Sequence, residues 1–161
     1  KQNDLPVAVI GAGPVGLAAA VRLLEQGVPV KLYEAGTAVA SNLRDWGHVR
    51  VFTPWRYCVD RAARELLEAS GWKMPDPEAF PTANDLVAHY LEPLARLPEL
   101  SPVIETGARV TGISRWGADK VRGKGRAARP FMLVVETAGG IRRDSARAVI
   151  DASGTWRTPN P

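Results

Sequence analysis

The first apolar positions form a short run, Leu5 to Ile10, that stops abruptly at Gly11. A run this short, with no polar alternation, predicts a strand buried on both faces, as in a parallel sheet. From Pro14 to Gln26 the chain is rich in Ala, Leu and Val, and the polar Arg22, Glu25 and Gln26 come near the end. That pattern predicts a helix, with Pro14 in its first turn and Gly27 placed to stop it. Val28 to Glu34 predicts a second strand and completes a β-α-β unit of about thirty residues, the size of a right-handed crossover.

Gly36 to Tyr57 has no sustained period and mixes Ser, Asn, Gly and Pro with Trp46 and Trp55, so an irregular excursion is expected. Long loops of this kind usually serve a function. Asp60 to Ser70 predicts a helix with Leu66 and Leu67 on its buried side. Asp85 to Leu97 predicts another, capped by Thr82 or Asn84 and closed by Pro98. Val103 to Glu105 reads as a short third parallel strand. Arg109 to Trp116, Phe131 to Thr137 and Ile141 to Asp144 then read as antiparallel strands, the last two joined by a turn at Ala138-Gly139-Gly140. Ala146 to Asp151 is a final apolar strand that runs into Ala152-Ser153-Gly154-Thr155. The pattern is α/β: a central parallel sheet with helices and an inserted antiparallel three-stranded β layer at about residues 109–145.

With 161 residues, 45% of them hydrophobic, the chain is long enough for one compact domain, expected over 1–161. The lone Cys58 excludes an internal disulfide framework and a cysteine-based zinc cluster, and no metal is expected. Such sparse thiol usage suits the reducing cytoplasm, and Cys58 itself reads as a small, buried apolar residue. Lys1-Gln2-Asn3-Asp4 is not an apolar signal region, and no stretch approaches the ~20 apolar residues that cross a bilayer, so no membrane partner is expected.

Lys and Arg outnumber Asp and Glu by 21 to 17, which raises the question of nucleic acid. The excess sits in one place. Arg115, Lys120, Arg122, Lys124, Arg126 and Arg129 lie within one segment with Asp119 as the opposing charge, and the remainder is close to neutral. The Gly and Ala between these charges offer no aromatic stacking platform, so the segment reads as a solvated hairpin and no nucleic-acid partner is expected.

Gly11-Ala12-Gly13-Pro14-Val15-Gly16 fits G-x-G-x-x-G, a weak signal strengthened by its setting. It follows a strand, opens a helix, and lies 23 positions before Glu34 at the end of the next strand, as the dinucleotide fingerprint requires. Gly11 suits the tight turn, Gly13 a close backbone approach to a pyrophosphate, and Gly16 tight packing of helix on strand. The free N–H groups at the mouth of the helix meet the phosphate charge. Glu34 suits bare ribose hydroxyls and would repel a 2′-phosphate, so NADP is disfavoured here. The fingerprint does not separate FAD from NAD, because both share the ADP half.

The chain as a whole resembles the flavoproteins with two dinucleotide-binding domains, the group of pyridine nucleotide-disulfide oxidoreductases and flavin-containing and Baeyer-Villiger monooxygenases. The carriers are Val7 to Leu17 with Ala20, Gly27 and Glu34, then Glu105-Thr106-Gly107-Ala108-Arg109-Val110, then Ala148-Val149-Ile150-Asp151-Ala152-Ser153-Gly154-Thr155. The last stretch is similar to the family's "ATG" segment, with Ser153 where Thr is usual. The resemblance implies a Rossmann-like FAD/NAD(P)-binding domain with FAD as cofactor. It places Gly11, Ala12, Gly13, Pro14, Val15 and Gly16 at the pyrophosphate, Glu34 and Ala35 at the ribose, and Val110 at adenine through its backbone. Ala152, Ser153 and Gly154 would approach the pyrophosphate from the last strand.

The loop from Asn42 to Trp55 is where relatives approach the flavin, so Arg44 is a candidate for phosphate and Trp46 for stacking on the ring. His48, Trp55 and Tyr57 read as packing residues. The implied function is the FAD-binding portion of an oxidoreductase that passes electrons from NAD(P)H to oxygen or an organic acceptor; the alternative is a non-catalytic NAD- or FAD-binding module. A lone cysteine departs from the thiol-pair reductases. No second G-x-G-x-x-G is present, nor is the segment that usually closes over the ribityl chain. The chain is therefore expected to be a piece of a longer protein, not a complete enzyme by itself, and its residues assign no catalytic group.

Overall fold

The computed structural model describes residues 4–118 and 123–159. β1 (Val7–Ile10), α1 (Pro14–Glu25) and β2 (Val30–Tyr33) form the β-α-β unit, with β1 and β2 parallel from Val7 opposite Val30 to Ile10 opposite Tyr33. Both strands start two residues later than the apolar pattern suggests. Pro6 and Pro29 explain this, because neither has an N–H to give the ladder, and the Pro29 carbonyl instead accepts from Val7 N at 2.8 Å. α1 ends where Gly27 turns left-handed at φ +65° and Val28 N–H reaches back to the Leu23 carbonyl at 2.9 Å, a closure that favours glycine.

The stretch expected to be irregular contains two short helices, α2 (Ser41–Asp45) and α3 (Trp55–Cys58). α4 (Arg61–Ala69) begins at Asp60, whose carboxylate accepts from Ala62 N and Ala63 N at 3.0 and 3.1 Å. The next helix begins with a capping box. Thr82 Oγ1 accepts from Asp85 N, and the Asp85 carboxylate accepts from Thr82 N, as the preference for Thr at this position anticipates. It runs as α5 (Ala83–Leu86), a π-helical stretch Val87–Leu91, and α6 (Glu92–Ala95). Pro93 accounts for the widening, since a proline ring crowds the carbonyl four residues back and gives it no hydrogen bond. That carbonyl belongs to His89, and it accepts the Trp72 indole N–H at 2.7 Å instead.

β3 (Ile104–Glu105) lies parallel to β2. β4 (Arg109–Arg115), β5 (Phe131–Thr137) and β6 (Gly140–Ala146) form a separate antiparallel sheet in that order, with a bulge in β4 between Val110 and Gly112. β6 runs two residues past Asp144, so Ala146 belongs to this layer and β7 (Ala148–Asp151) starts after it. The parallel sheet has the order β3-β2-β1-β7. Of the basic segment, Lys120 and Arg122 lie outside the described residues, as does Asp119. Arg115 and Arg129 bind the hairpin's own carbonyls, and the Arg115 guanidinium lies 3.6 Å from the Phe131 ring centre.

Three layers result. Alternate residues of the parallel sheet face opposite ways: Val9 and Leu32 pack under the helices with Leu17, Val21, Leu67, Leu91 and Leu94. Ala8 and Tyr33 pack against Leu133, Val135 and Ala146 of the antiparallel layer. Burial on both faces is why the strand pattern is continuous and apolar. On α4 the buried side chains are Ala62, Ala63 and Leu67, with Leu66 half-buried at the edge. Among the described residues no helix is long and apolar enough to cross a membrane.

Candidate functional site

The chain winds from β1 through β2 to β3 on one side and, after the antiparallel layer, returns to place β7 on the other side of β1, so the strand order reverses there and a crevice opens at its carboxyl end. A cavity of about 670 Å³ fills that crevice. It brings together Gly11, Gly13, Pro14 and Val15 after β1, Glu34 and Ala35 after β2, Val110 of β4, and Ala152, Ser153 and Gly154 after β7, with Trp46 at its rim. Of the sequence-derived candidates, Ala12, Gly16 and Arg44 do not line it.

The glycine-rich turn is packed from behind. At Gly16 a Cβ would lie 1.8 Å from the Gly11 carbonyl oxygen, so only glycine lets α1 sit this close to the end of β1. Gly11, at φ +96°, lies against the Ala152 backbone and has no room for a side chain. Gly13 is different. Its backbone is extended (φ −85°, ψ −170°), and a Cβ there would meet nothing within 4 Å. It faces the cavity at the start of a twelve-residue helix that no side chain caps and that has no acidic residue in its first turn. That mouth presents N–H groups and a positive dipole end to whatever fills the space.

Glu34 is only 5% exposed, and its two oxygens already have protein donors. Oε2 accepts from Ala12 N at 2.9 Å; Oε1 accepts from Gly36 N and Ser41 Oγ, both at 2.7 Å. The carboxylate therefore ties the glycine-rich turn to the start of α2, a role invisible in the spacing alone. A carboxylate has about four acceptor positions, which leaves room for one further donor from the cavity. Beyond β2 the Glu34 carbonyl accepts from Ala108 N at 2.9 Å, and this link delivers β4 and Val110 to the same end of the cavity.

Tyr33, beside Glu34, anchors the other face. Its hydroxyl donates to Asp144 at 2.8 Å, and burial followed by that bond pushes its pKa well above the ordinary value. Arg142 forms a bidentate pair with Glu105, both contacts at 2.7 Å, and also binds Asp144. Lys31 Nζ joins Glu105 at 2.8 Å. The Arg142 bond holds the Glu105 carboxyl below its usual range. At Asp144 burial pulls upward, but bonds from Arg142 and Tyr33 overcome it and the net direction is down. This cluster locks β6 onto β2 and β3.

The far end departs from the sequence reading. Arg44 does not enter the cavity: Nε donates to the Val39 carbonyl at 3.1 Å and the guanidinium pairs with Glu92 at 2.6 Å. Glu92, held low by that pair, wins the charge because α6 presents it across from α2. Trp55 is buried, as expected of a packing residue. His48 and Tyr57 are exposed and correct that expectation. Tyr57 lies on the outer side of the four-residue α3, with the Arg56 guanidinium 4.7 Å from its ring centre. Cys58 is half-buried, its thiol donates to the Thr53 carbonyl, and burial raises its pKa, which suits an inert thiol.

Trp156 and Arg157 also line the cavity, and sequence reasoning missed both. The Trp156 indole N–H donates to Asp45 at 3.2 Å, Arg157 reaches the same carboxylate at 3.5 Å, and Asn42 Nδ2 donates to the Ser153 carbonyl at 3.4 Å. A tryptophan beside the small residues after the last strand was the available signal. Ser153 itself is held by Asp151, whose carboxylate accepts both its N–H and its hydroxyl and is thereby lowered in pKa.

Residues 9–69 match the family described as NAD(P)-binding Rossmann-like domain. The chain has the Rossmann-like FAD/NAD(P)-binding fold. Among solved structures, this fold superimposes on bacillithiol disulfide reductase from Bacillus cereus with a TM-score of 0.72 at 21% identity, covering 98% of this chain and 42% of that one. It matches OTEMO in complex with FAD and NADP at 0.69 and 20% identity, covering 96% and 26%. The indole-3-pyruvate monooxygenase of Oryza sativa subsp. japonica is 31% identical over 125 residues, covering 72% of this chain and 28% of that protein. The chain thus spans between 26% and 42% of the length of these three proteins.

Proposed function

We propose that the chain is the FAD-binding portion of a flavin-dependent oxidoreductase, in which NAD(P)H is the electron donor and oxygen or a small organic molecule the acceptor. The carrying observation is that Gly13, the uncapped mouth of α1, Glu34 and Val110 meet in one cavity. The residues present fit the ADP half of the cofactor. Gly13 leaves a space that a Cβ would fill, the α1 mouth supplies donors for the diphosphate, and Glu34 retains acceptor capacity for the ribose. In this reading Gly11 and Gly16 hold the turn, Ala12 fixes Glu34, and Pro14 and Val15 border the phosphates. Ala35 lies beside the ribose, Val110 offers backbone groups to adenine, and Ala152, Ser153 and Gly154 close over the diphosphate from β7. Arg44 is left out, because Glu92 already neutralises it. The flavin, when bound, supplies the redox chemistry; the chain's own residues bind it, orient it and exclude water.

The similarity to OTEMO, solved with FAD and NADP, and to a plant monooxygenase supports the flavin over a plain NAD site. The whole of 1–161 acts as one cofactor-binding domain with the antiparallel layer inserted. The protein works in the cytoplasm without a nucleic-acid partner: among the described residues of the basic hairpin, Arg115 and Arg129 are spent on its own carbonyls.

Gly13→Ala and Gly13→Val test the reading. The backbone at Gly13 suits any residue and the space is open, so the thermal midpoint should stay within about 2 °C of wild type, less than 1 kcal/mol. Affinity for FAD and for ADP should fall by about ten- to a hundredfold, the equivalent of 1–3 kcal/mol of overpacking against the phosphates. Wild-type protein that binds neither ligand, or a Gly13→Val variant that binds FAD as tightly as wild type, would overturn the proposal. Colourless protein that binds NAD in preference to FAD would favour the non-catalytic module.

A further inference from the structure

The cavity is lined by two chemically different groups of residues. One group of lining residues is tied together at Glu34, whose carbonyl accepts from Ala108 N, two residues before Val110; a second, two indoles, Trp46 and Trp156, with Arg157, gathers around Asp45. The two rings are 6.4 Å apart, centre to centre, with their planes at 53°. They come from segments that are 110 residues apart in the chain, and three polar contacts join those segments across the rim. Asp45 accepts from both Trp156 and Arg157, and Asn42 donates to the Ser153 carbonyl. Trp156 is nonetheless 52% exposed. Its N–H is engaged while much of its ring surface is open to the cavity side, an arrangement that can accept a stacking partner. Tyr33, the other aromatic side chain among the lining residues, is committed to Asp144 and the core.

We infer that Trp156, held beside Trp46 by Asp45, is the stacking surface for the planar ring of the dinucleotide's second half. This subsite makes the cavity prefer FAD to ADP. The inference rests on the dinucleotide reading above and adds the recognition of the non-adenine half. An electron-poor ring such as isoalloxazine stacks offset on an electron-rich indole. Asp45 sets the indole plane through Trp156 Nε1 and keeps Arg157 at the rim, so it acts as a positioning residue and not as a contact.

The test is calorimetric titration of the 161-residue chain with FAD and, separately, with ADP. Trp156→Ala should weaken FAD by about tenfold, the lower part of the range for loss of one stacked ring, while ADP stays within about twofold. Trp156→Phe should recover most of the loss. Asp45→Ala should shift FAD in the same direction by a smaller factor, again sparing ADP. Unchanged FAD affinity in Trp156→Ala, or FAD and ADP falling together, would overturn the inference. Wild-type protein that binds ADP but holds FAD no more tightly would also overturn it and leave the ADP cradle standing. Wild-type protein that binds neither would instead remove the dinucleotide reading, and this inference with it.

Discussion

Glu34 has two duties that use the same two oxygens. The fingerprint assigns it to a ribose, and the structure adds three protein donors, two of them backbone N–H groups. Glu34→Gln replaces one acceptor with an NH2 group and leaves a buried donor facing a donor, a cost of about 1–3 kcal/mol. The ligand-free variant should therefore melt below wild type. An unchanged midpoint in a thermal scan would mean that the carboxylate serves the ligand alone. Gly16 makes a sharper case. An added methyl 1.8 Å from the Gly11 oxygen forces α1 off β1, so Gly16→Ala should lose roughly 1–3 kcal/mol by overpacking. Gly13→Ala, three residues earlier, should lose almost none. The same motif thus holds one glycine needed for packing and one whose side of the turn is open, for which a ligand's access is the proposed reason, and thermal scans of the two variants separate them.

At the level of elements, the cluster of Lys31, Tyr33, Glu105, Arg142 and Asp144 joins the two sheets and so fixes β4 relative to the end of β2. Glu105 and Asp144 both have pKa values held below normal in the folded state. Carboxylates depressed in this way contribute stability that is complete above their unfolded values, near pH 4, and is lost as pH falls through the folded ones. Arg142→Met should lower the thermal midpoint at pH 7 and flatten its decline between about pH 5 and 3. Parallel acid limbs for wild type and variant would show that the cluster adds nothing. Little of this was legible in the sequence, because an ion pair between residues 105 and 142 leaves no periodic trace. The β-α-β unit, the helix after Asp60 and the hairpin of β5 and β6 were legible, since each rests on local signals: a glycine stop, an N-cap, a tight turn. The π-helical stretch was missed although Pro93 announced a fault, because the Trp72 indole that rescues the His89 carbonyl comes from another segment. Arg44 misled for a related reason: its partner Glu92 lies 48 residues away.

For the molecule as a whole, the three layers converge on one place. The helical layer supplies α1 with its open mouth, the parallel sheet supplies the switch point at β1, and the antiparallel layer brings Val110 to the cavity near Glu34. The open mouth of α1 was readable from the fingerprint and Val110 from the family resemblance, whereas the sheet order that puts the switch point at β1 and the rim built by Asn42, Asp45 and Trp156 appear only once the chain is folded. Amide chemical shifts followed by 1H–15N correlation spectra during ADP addition test the central claim most directly. The account predicts the largest shifts at the N–H groups of Gly13, Val15 and Gly16, with a second set at Val110. Shifts confined to the basic hairpin around Arg115 to Arg129, with the α1 mouth unmoved at saturating ADP, would contradict it.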